Sequence, residues 1–166
     1  ELDDAYFDRA VGRVGLVEDL HPVPVTAPVV VGLDLSLSST GVAILGDGDH
    51  LVFAVGSKPA GDRLRDRRRR LTHLTEDIWD ATDTLGHPAL VVVEGPSYGS
   101  RTGSQHDRSG LWWLVVDMLS DVDTAPEVVE VPPACRTRYA TGKGNAAKDA
   151  VLAAAPAMVQ AELKRP

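Results

Sequence analysis

Hydrophobic positions follow two different periods along the chain, and these periods predict an ordered series of strands and helices. Short apolar runs and alternating segments predict five strands, at residues 29–33, 41–45, 51–55, 89–93 and 127–131. Apolar residues at helical spacing predict four helices, at residues 1–20, 63–85, 109–122 and 146–154. Three hairpin-connected strands followed by alternating helices and strands predict an α/β fold, in which helices flank a mixed five-stranded sheet.

Two segments rich in rigid or small residues divide the chain. Residues 21–28 (HPVPVTAP) are a proline-rich connector that cannot continue a helix. We therefore expect residues 1–20 to be a helix joined by this linker to one domain at 29–166. Residues 95–105 (GPSYGSRTGSQ) predict an exposed loop between the fourth strand and the helix that follows it.

Composition narrows the class of protein. At 166 residues with 43 % hydrophobic residues, the chain is long and apolar enough for a single domain with a real core. Its one cysteine, Cys135, excludes an internal disulfide framework and a Cys-rich zinc site. The apolar runs are too short to span a bilayer, and the sequence shows no secretory signal pattern. We therefore expect a cytoplasmic protein that makes no membrane contact.

The distribution of charge along the chain is more informative than the net charge. The net charge of −7 argues weakly against a protein that coats nucleic acid. Residues 61–73, with six arginines and two aspartates, and residues 136–148, with four basic residues and no acid, each carry +4. These two stripes could bind phosphate while acids elsewhere bind a metal ion. The alternative is that both stripes are ordinary solvated surfaces.

Two acids stand at the ends of hydrophobic strands. Asp34 follows the first strand, and Glu94 follows the fourth. A carboxylate that ends a buried strand must face the rim of the sheet, a partner or a cation. If the two strands are neighbours, both acids point into one crevice, where a divalent cation with oxygen ligands would relieve their repulsion. Taken singly, each acid could instead cap a helix or a turn.

Three segments then carry a resemblance to a known family. GLDLSLSSTGVAIL (32–45), VVVEGPSYGS (91–100) and VPPACRTRYATGKGNAAKDAV (131–151) resemble the RuvC family of Holliday-junction resolvases, within the RNase H-like superfamily. The resemblance is nearest to the RuvC-like proteins of actinobacteria and their phages and covers about residues 29–152. It implies an RNase H-like fold and a Mg²⁺-dependent endonuclease, of a bacterium or of a phage in its host, that cleaves branched DNA such as the four-way junction.

The resemblance also assigns roles to residues. It implies that Asp34 and Glu94 are catalytic metal ligands for two Mg²⁺ ions, which Mn²⁺ could replace. It implies a homodimer, for which the two apolar faces of the helix at 109–122 are the expected interface. One face would hold Leu111, Val115, Met118 and Val122, and the other Trp112, Val116 and Leu119. The residues expected to contact DNA are Lys143, Lys148, Arg136, Arg138, Tyr98 and Arg101.

One part of the family pattern is missing from its usual place. Such enzymes end with an acid-x-x-Asp-Ala motif at the start of a last helix, and neither Asp149 nor Glu162 fits that motif. Residues 1–6 (ELDDAY) do fit it, so the chain could be a circular permutant in which Asp4, assisted by Glu1, completes the metal site. The alternative is an unrelated N-terminal extension.

Other functions remain open at this point. Without the last acids, the chain would be a catalytically inactive module that binds DNA junctions. A flap nuclease or other structure-selective nuclease of the same superfamily is a further alternative. An ATP-binding protein of the actin and sugar-kinase type shares the first motif. It would also need a second phosphate hairpin and an adenosine loop, for which 166 residues leave little room.

Overall fold

The computed structural model of this chain describes residues 28–46, 48–59, 61–96, 104–121 and 125–154. The strands are β1 (Val29–Asp34), β2 (Thr40–Gly46), β3 (Asp49–Val55), β4 (Pro88–Glu94) and β5 (Glu127–Val131). The helices are α1 (Leu64–Thr82), α2 (Gln105–Ser120), α3 (Pro133–Thr141) and a further helical segment, α4, at 148–154. The five strands predicted from the hydrophobic pattern are confirmed.

The strands form a single mixed sheet in the order β3-β2-β1-β4-β5. The first three strands pair antiparallel, because each is joined to the next by a short connection. β4 lies parallel to β1 on one side and to β5 on the other, after helical crossovers. The carboxyl ends of β1, β4 and β5 therefore meet at one edge of the sheet, where α/β proteins place their sites.

The hydrophobic core lies between one face of the sheet and helices α1 and α2. Strand residues on this face alternate with residues on the opposite face, as the period of two requires. Among the side chains that are less than 2 % exposed are Val31, Val42, Ile44, Val91, Val93, Leu74, Ile78, Leu111, Val115 and Leu119. α1 and α2 are also joined by a bidentate ion pair in which the Arg67 guanidinium donates to the Asp107 carboxylate, and this contact lowers the pKa of Asp107.

The opposite face of the sheet, which we call the open face, is apolar and exposed. One row of cross-strand partners crosses all five strands on this face, formed by Val52, Ala43, Gly32, Val92 and Val129. Val52 at its outer end is 76 % exposed, and Leu45 beside it is 47 % exposed. Within the described part of the chain, these side chains are left in contact with solvent. Apolar surface of this kind usually has a partner.

Two predicted helices differ from the structure in their bounds, and one helix was not predicted. α2 begins at Gln105 instead of residue 109, so the last residue expected in the glycine-rich loop is the first residue of this helix. α1 ends at Thr82, three residues before its expected end. α3 was not predicted, because Pro132 and Pro133 mark the end of β5. A proline at the first helical position is equally a helix start, and Pro133 takes that role here.

Some predictions fall outside the described residues. These include the helix at 1–20 and residues 21–27 of the connector. No helix in the described ranges is long and apolar enough to cross a membrane.

Candidate functional site

Asp34 and Glu94 lie side by side at the edge where β1 and β4 end. The register of the two parallel strands pairs Leu33 with Val93, so the next residue of each strand is an acid. Both acids project toward the open face, since they share its alternation with Gly32 and Val92. The Asp34 side chain is 61 % exposed, whereas the Glu94 side chain is 18 % exposed. One carboxylate is thus accessible from solvent and the other is largely withdrawn from it.

A single arginine connects the two acids. Nη1 of Arg136 lies 3.0 Å from Oδ2 of Asp34, to which it donates a hydrogen bond, and 2.8 Å from Oε2 of Glu94. Arg136 reaches this position because β5 runs parallel to β4 and α3 begins two residues after β5 ends. We expected Arg136 to contact DNA phosphate; the structure places its guanidinium on the acid pair.

The acid pair is incompletely neutralised even with Arg136 in place. Burial and the negative charge of Asp34 raise the pKa of Glu94, and the positive charge of Arg136 opposes this rise. Oε2 of Glu94 is buried, and no group in the described ranges donates an aligned hydrogen bond to it. The 2.8 Å contact with Arg136 is therefore an ion contact only. The site can accept more positive charge than one guanidinium supplies.

The backbone that follows Asp34 is fixed by several independent contacts. The Thr40 hydroxyl donates to the carbonyl of Ser36 at 2.8 Å and accepts from its N–H at 3.0 Å. The carbonyl of Leu37 accepts from the Ser57 hydroxyl and from the Arg70 guanidinium, both at 2.9 Å. These contacts hold the first acid in one place relative to the sheet.

Gly56 and Trp112 also help to hold the backbone near the two acids. A Cβ atom at Gly56 would overlap the carbonyl oxygen of Ser38, so only glycine lets the β1–β2 loop pack this closely on the end of β3. At the other acid, the indole N–H of Trp112 donates to the carbonyl of Glu94 at 3.3 Å. Sequence reasoning missed both contacts because nothing local to either residue indicates its distant partner.

The arginines at the start of α1 fall into two classes. Arg67 and Arg70 are half-buried and make contacts within the protein, since the first pairs with Asp107 and the second binds the β1–β2 loop. The remaining arginines of this stretch are exposed, namely Arg63, Arg65, Arg68 and Arg69. The first basic stripe is therefore partly structural.

The other basic residues of the second stripe follow Arg136, the residue that contacts the acid pair. Arg138, Lys143 and Lys148 are exposed on α3, on the loop after it and on α4. Gly142 ends α3 in a left-handed conformation with φ of 76°, and its N–H donates to the carbonyl of Arg138. The other site residues expected from the sequence, Tyr98, Arg101, Asp4 and Glu1, fall outside the described residues.

The acids border an open cleft of about 310 Å³ on the open face. Small residues form part of its floor, in particular Gly32, Gly41 and Ala43. Two carboxylates offer the hard oxygen donors that Mg²⁺ or Mn²⁺ prefers, and the unsatisfied Oε2 of Glu94 fits that use. The described ranges contain no group of three or more His, Cys, Asp or Glu side chains placed to bind a metal ion. Asp34 and Glu94 therefore fit a divalent cation as part of a larger ligand set.

The fold has parallels among solved structures, although the sequence matches no family model and no curated protein. The RuvC structure of Thermus thermophilus is 17 % identical in sequence, with a TM-score of 0.56 and coverage of 74 % of each chain. The fold is RNase H-like. This confirms the expected fold class.

Two further solved structures share this fold. Thermus thermophilus RuvC in complex with a Holliday-junction substrate is 19 % identical, with a TM-score of 0.50, and the match covers 75 % of this chain and 74 % of that one. The yeast mitochondrial Holliday junction resolvase is 12 % identical, with a TM-score of 0.50. That match covers 84 % of this chain and 61 % of the yeast protein. At such identities the likeness shows the fold alone.

The raised pKa of Glu94 predicts that this residue destabilises the cation-free protein at neutral pH. A carboxyl group whose pKa is raised on folding disfavours the folded state once the pH exceeds its ordinary pKa, because its charged form is better solvated in the unfolded chain. Glu94→Gln should therefore melt at a higher temperature than wild type in neutral buffer with EDTA. The difference should shrink as the pH falls below the ordinary pKa of glutamate, about 4.3.

Thermal unfolding followed by circular dichroism measures this effect, with Glu127→Gln at the exposed start of β5 as the matched control. A lower melting temperature for Glu94→Gln than for wild type at neutral pH would mean that the Arg136 contact outweighs the cost of burial.

Proposed function

We propose that this protein is a divalent-cation-dependent endonuclease that cleaves branched DNA, with the four-way junction as its substrate. The observation that carries the proposal is the pair of carboxylates at the ends of neighbouring parallel strands in an RNase H-like sheet. The likeness of the fold to RuvC in complex with a Holliday-junction substrate supports the choice of DNA.

Asp34 and Glu94 would hold the cation, which we propose to be Mg²⁺ with Mn²⁺ as a substitute. When bound, two such ions supply an activated water and stabilise the leaving 3′ oxygen of a phosphodiester. The two acids suit different parts of this task. Asp34 is the more exposed and can meet a cation that arrives with the substrate, while Glu94 is held by its strand and by Trp112.

The second basic stripe would supply affinity for the DNA backbone. Arg138, Lys143 and Lys148 are exposed on α3 and on the residues after it, and α3 follows β5 at the edge of the sheet that carries the acids. Gly142 would allow the backbone to approach a phosphate closely. Tyr98 and Arg101, in the connection between β4 and α2, would contact the opened junction. Phosphate contacts of this kind give affinity without reading base sequence, so selectivity would come from the shape of the junction.

The missing acids would come from the N-terminal segment, in a circularly permuted order. Residues 1–14 carry an apolar stripe formed by Leu2, Ala5, Tyr6, Ala10, Val11 and Val14. The open face is an apolar surface that could receive it. A Cβ atom at Gly32 would meet Ala43 alone, at 3.9 Å, so the described residues do not themselves require glycine there. A glycine is explained if a helix lies close above it.

The lengths agree with this arrangement. The part of the expected helix that carries this stripe, residues 2–14, would be about 20 Å long, and the six residues of β1 span about the same distance. If the helix begins near the acids and runs antiparallel to β1, its stripe ends near Val29, to which residues 15–28 connect it. Asp4 and Glu1 would then lie in its first turn, beside Asp34 and Glu94.

We also propose a homodimer formed through α2, since two nicks in a two-fold symmetric junction call for two sites. The buried side chains of α2 are Leu111, Val115 and Leu119. The expected assignment of Leu119 to a second face was therefore wrong. Trp113 and Leu114 are 66 % and 40 % exposed, and they form the apolar surface that remains for a partner.

A second candidate function is an inactive junction-binding module of the same fold. It is favoured by one specific observation, namely that the described ranges provide just two carboxylates for a metal ion. The two candidates make opposite predictions about cleavage and the same prediction about binding.

The first prediction of this proposal separates the two candidate functions. With Mg²⁺, the wild-type protein should introduce paired nicks into a synthetic four-way junction and leave a linear duplex of the same sequence intact. Asp34→Asn should abolish cleavage because it removes a charged oxygen ligand, while junction binding should change little because the basic residues are untouched.

Gel electrophoresis of labelled strands measures cleavage, and fluorescence anisotropy measures binding. Asp80→Asn, at an exposed position of α1, is the matched control and should cleave like wild type. Tight junction binding without nicks in the wild-type protein would support the inactive module instead.

The second prediction tests the N-terminal ligands. Asp4→Asn should reduce junction cleavage by about 100-fold or more, since it removes a ligand of the catalytic cation. Asp8→Asn makes the same change four residues farther along the chain and should have little effect. Equal activities for the two variants would remove Asp4 from the metal site.

The third prediction concerns assembly. Sedimentation equilibrium of the wild type should give twice the 17.7 kDa chain mass, and Trp113→Glu should give the mass of one chain, because it places a charge in the apolar contact. Leu64→Glu is the control, since Leu64 is also exposed, at 80 %, but lies on α1. A wild-type monomer at high protein concentration would exclude the dimer.

A further inference from the structure

Arg136 lies where a cation between the two acids would lie. One nitrogen, Nη1, contacts an oxygen of each carboxylate at 3.0 and 2.8 Å. An arginine is always charged in a protein, so this nitrogen brings a permanent positive charge between two negative ones. A divalent cation that binds these two oxygens takes the same space and compensates the same charges. At Oδ2 of Asp34 and Oε2 of Glu94, the guanidinium and the divalent cation therefore exclude one another.

The contact between Arg136 and the two acids is of a kind that a divalent cation can displace. The arginine side chain is 50 % exposed and Asp34 is 61 % exposed, so both can be solvated as they separate. Exposed ion pairs of this kind contribute little to stability. The least exposed partner, Glu94, gains no aligned hydrogen bond from the guanidinium. Arg136 thus compensates both acids with one hydrogen bond, to Asp34, and without the bidentate geometry of a strong arginine–carboxylate pair.

The position of Arg136 also indicates where the released guanidinium would go. Arg138 is an exposed cation on the same helix, and Lys143 is an exposed cation two residues after the helix ends. A guanidinium that leaves the acids becomes a third exposed cation of this segment, and the group that such cations fit is the phosphate backbone of nucleic acid.

We propose that Arg136 is an exchangeable internal cation, which occupies the acid pair until a divalent cation displaces it and then binds a DNA phosphate. This proposal rests on the proposed function for the identity of the substrate. Its consequence is reciprocal coupling: the divalent cation makes Arg136 available to DNA, and DNA that holds Arg136 makes the acids available to the cation. The protein would then assemble its full metal site on DNA.

Calorimetric titration of the DNA-free protein with Mn²⁺ tests the exchange without any measurement of cleavage. Arg136→Gln should bind Mn²⁺ about fivefold more tightly than wild type, because a competing charge is gone. Arg136→Lys keeps a competing charge and should stay near the wild-type affinity. Arg69→Gln, at an exposed position of α1, controls for the change in net charge and should bind like wild type.

A second titration tests the coupling to DNA. Ca²⁺ should tighten binding of a four-way junction to wild type more than to Arg136→Gln, since the variant has no guanidinium to release. Equal or weaker Mn²⁺ binding by Arg136→Gln, in a variant whose thermal unfolding remains cooperative, would overturn the exchange.

The outcomes separate this proposal from the proposed function. If wild type and Arg136→Gln bind Mn²⁺ equally well and the wild type still nicks junctions, the exchange fails while the nuclease stands. If none of the variants binds Mn²⁺, the exchange fails. The cation-dependent nuclease fails with it only when the wild type also leaves the four-way junction uncut in the presence of Mg²⁺.

Discussion

The repulsion between two carboxylates at the ends of adjacent parallel strands is the constraint on which the rest of the site depends. Asp34 and Glu94 are brought together by the register of β1 and β4, and the backbone gives them no freedom to separate. Burial of Glu94 makes the arrangement more costly still, as its raised pKa shows. Such a pair is tolerated in a folded protein when a positive charge lies beside it, and Arg136 supplies that charge in this structure.

The scaffold around the acids is rigid on one side and open on the other. Arg70, Ser57 and Gly56 fix the loop after Asp34, and Trp112 fixes the end of β4. Across the sheet, the open face presents small and apolar residues to solvent. The side held by these contacts positions the two acids, and the open face leaves room for the cation, the further ligands and the DNA that we propose.

The sequence was sufficient for those features that depend on local pattern. Strand periodicity predicted all five strands. The acids at the ends of two apolar runs predicted a shared crevice on the condition that the two strands are neighbours, and β1 and β4 are neighbours in the sheet. Other features depend on contacts between distant residues. Arg136 and Asp34 are 102 positions apart, and Arg70 and Leu37 are 33 apart, so no local pattern distinguishes these arginines from solvated neighbours. α3 was missed because a Pro-Pro pair can end a strand or begin a helix.

The central claim is that Asp34 and Glu94 together bind a divalent cation. Anomalous diffraction from crystals soaked in Mn²⁺ tests this claim most directly, because it locates the ion and Arg136 in the same experiment. The account predicts a strong peak within about 2.5 Å of oxygen atoms from both acids, with the Arg136 guanidinium moved away from them. A map without this peak, in which Nη1 of Arg136 still bridges Asp34 and Glu94 at millimolar Mn²⁺, would contradict it.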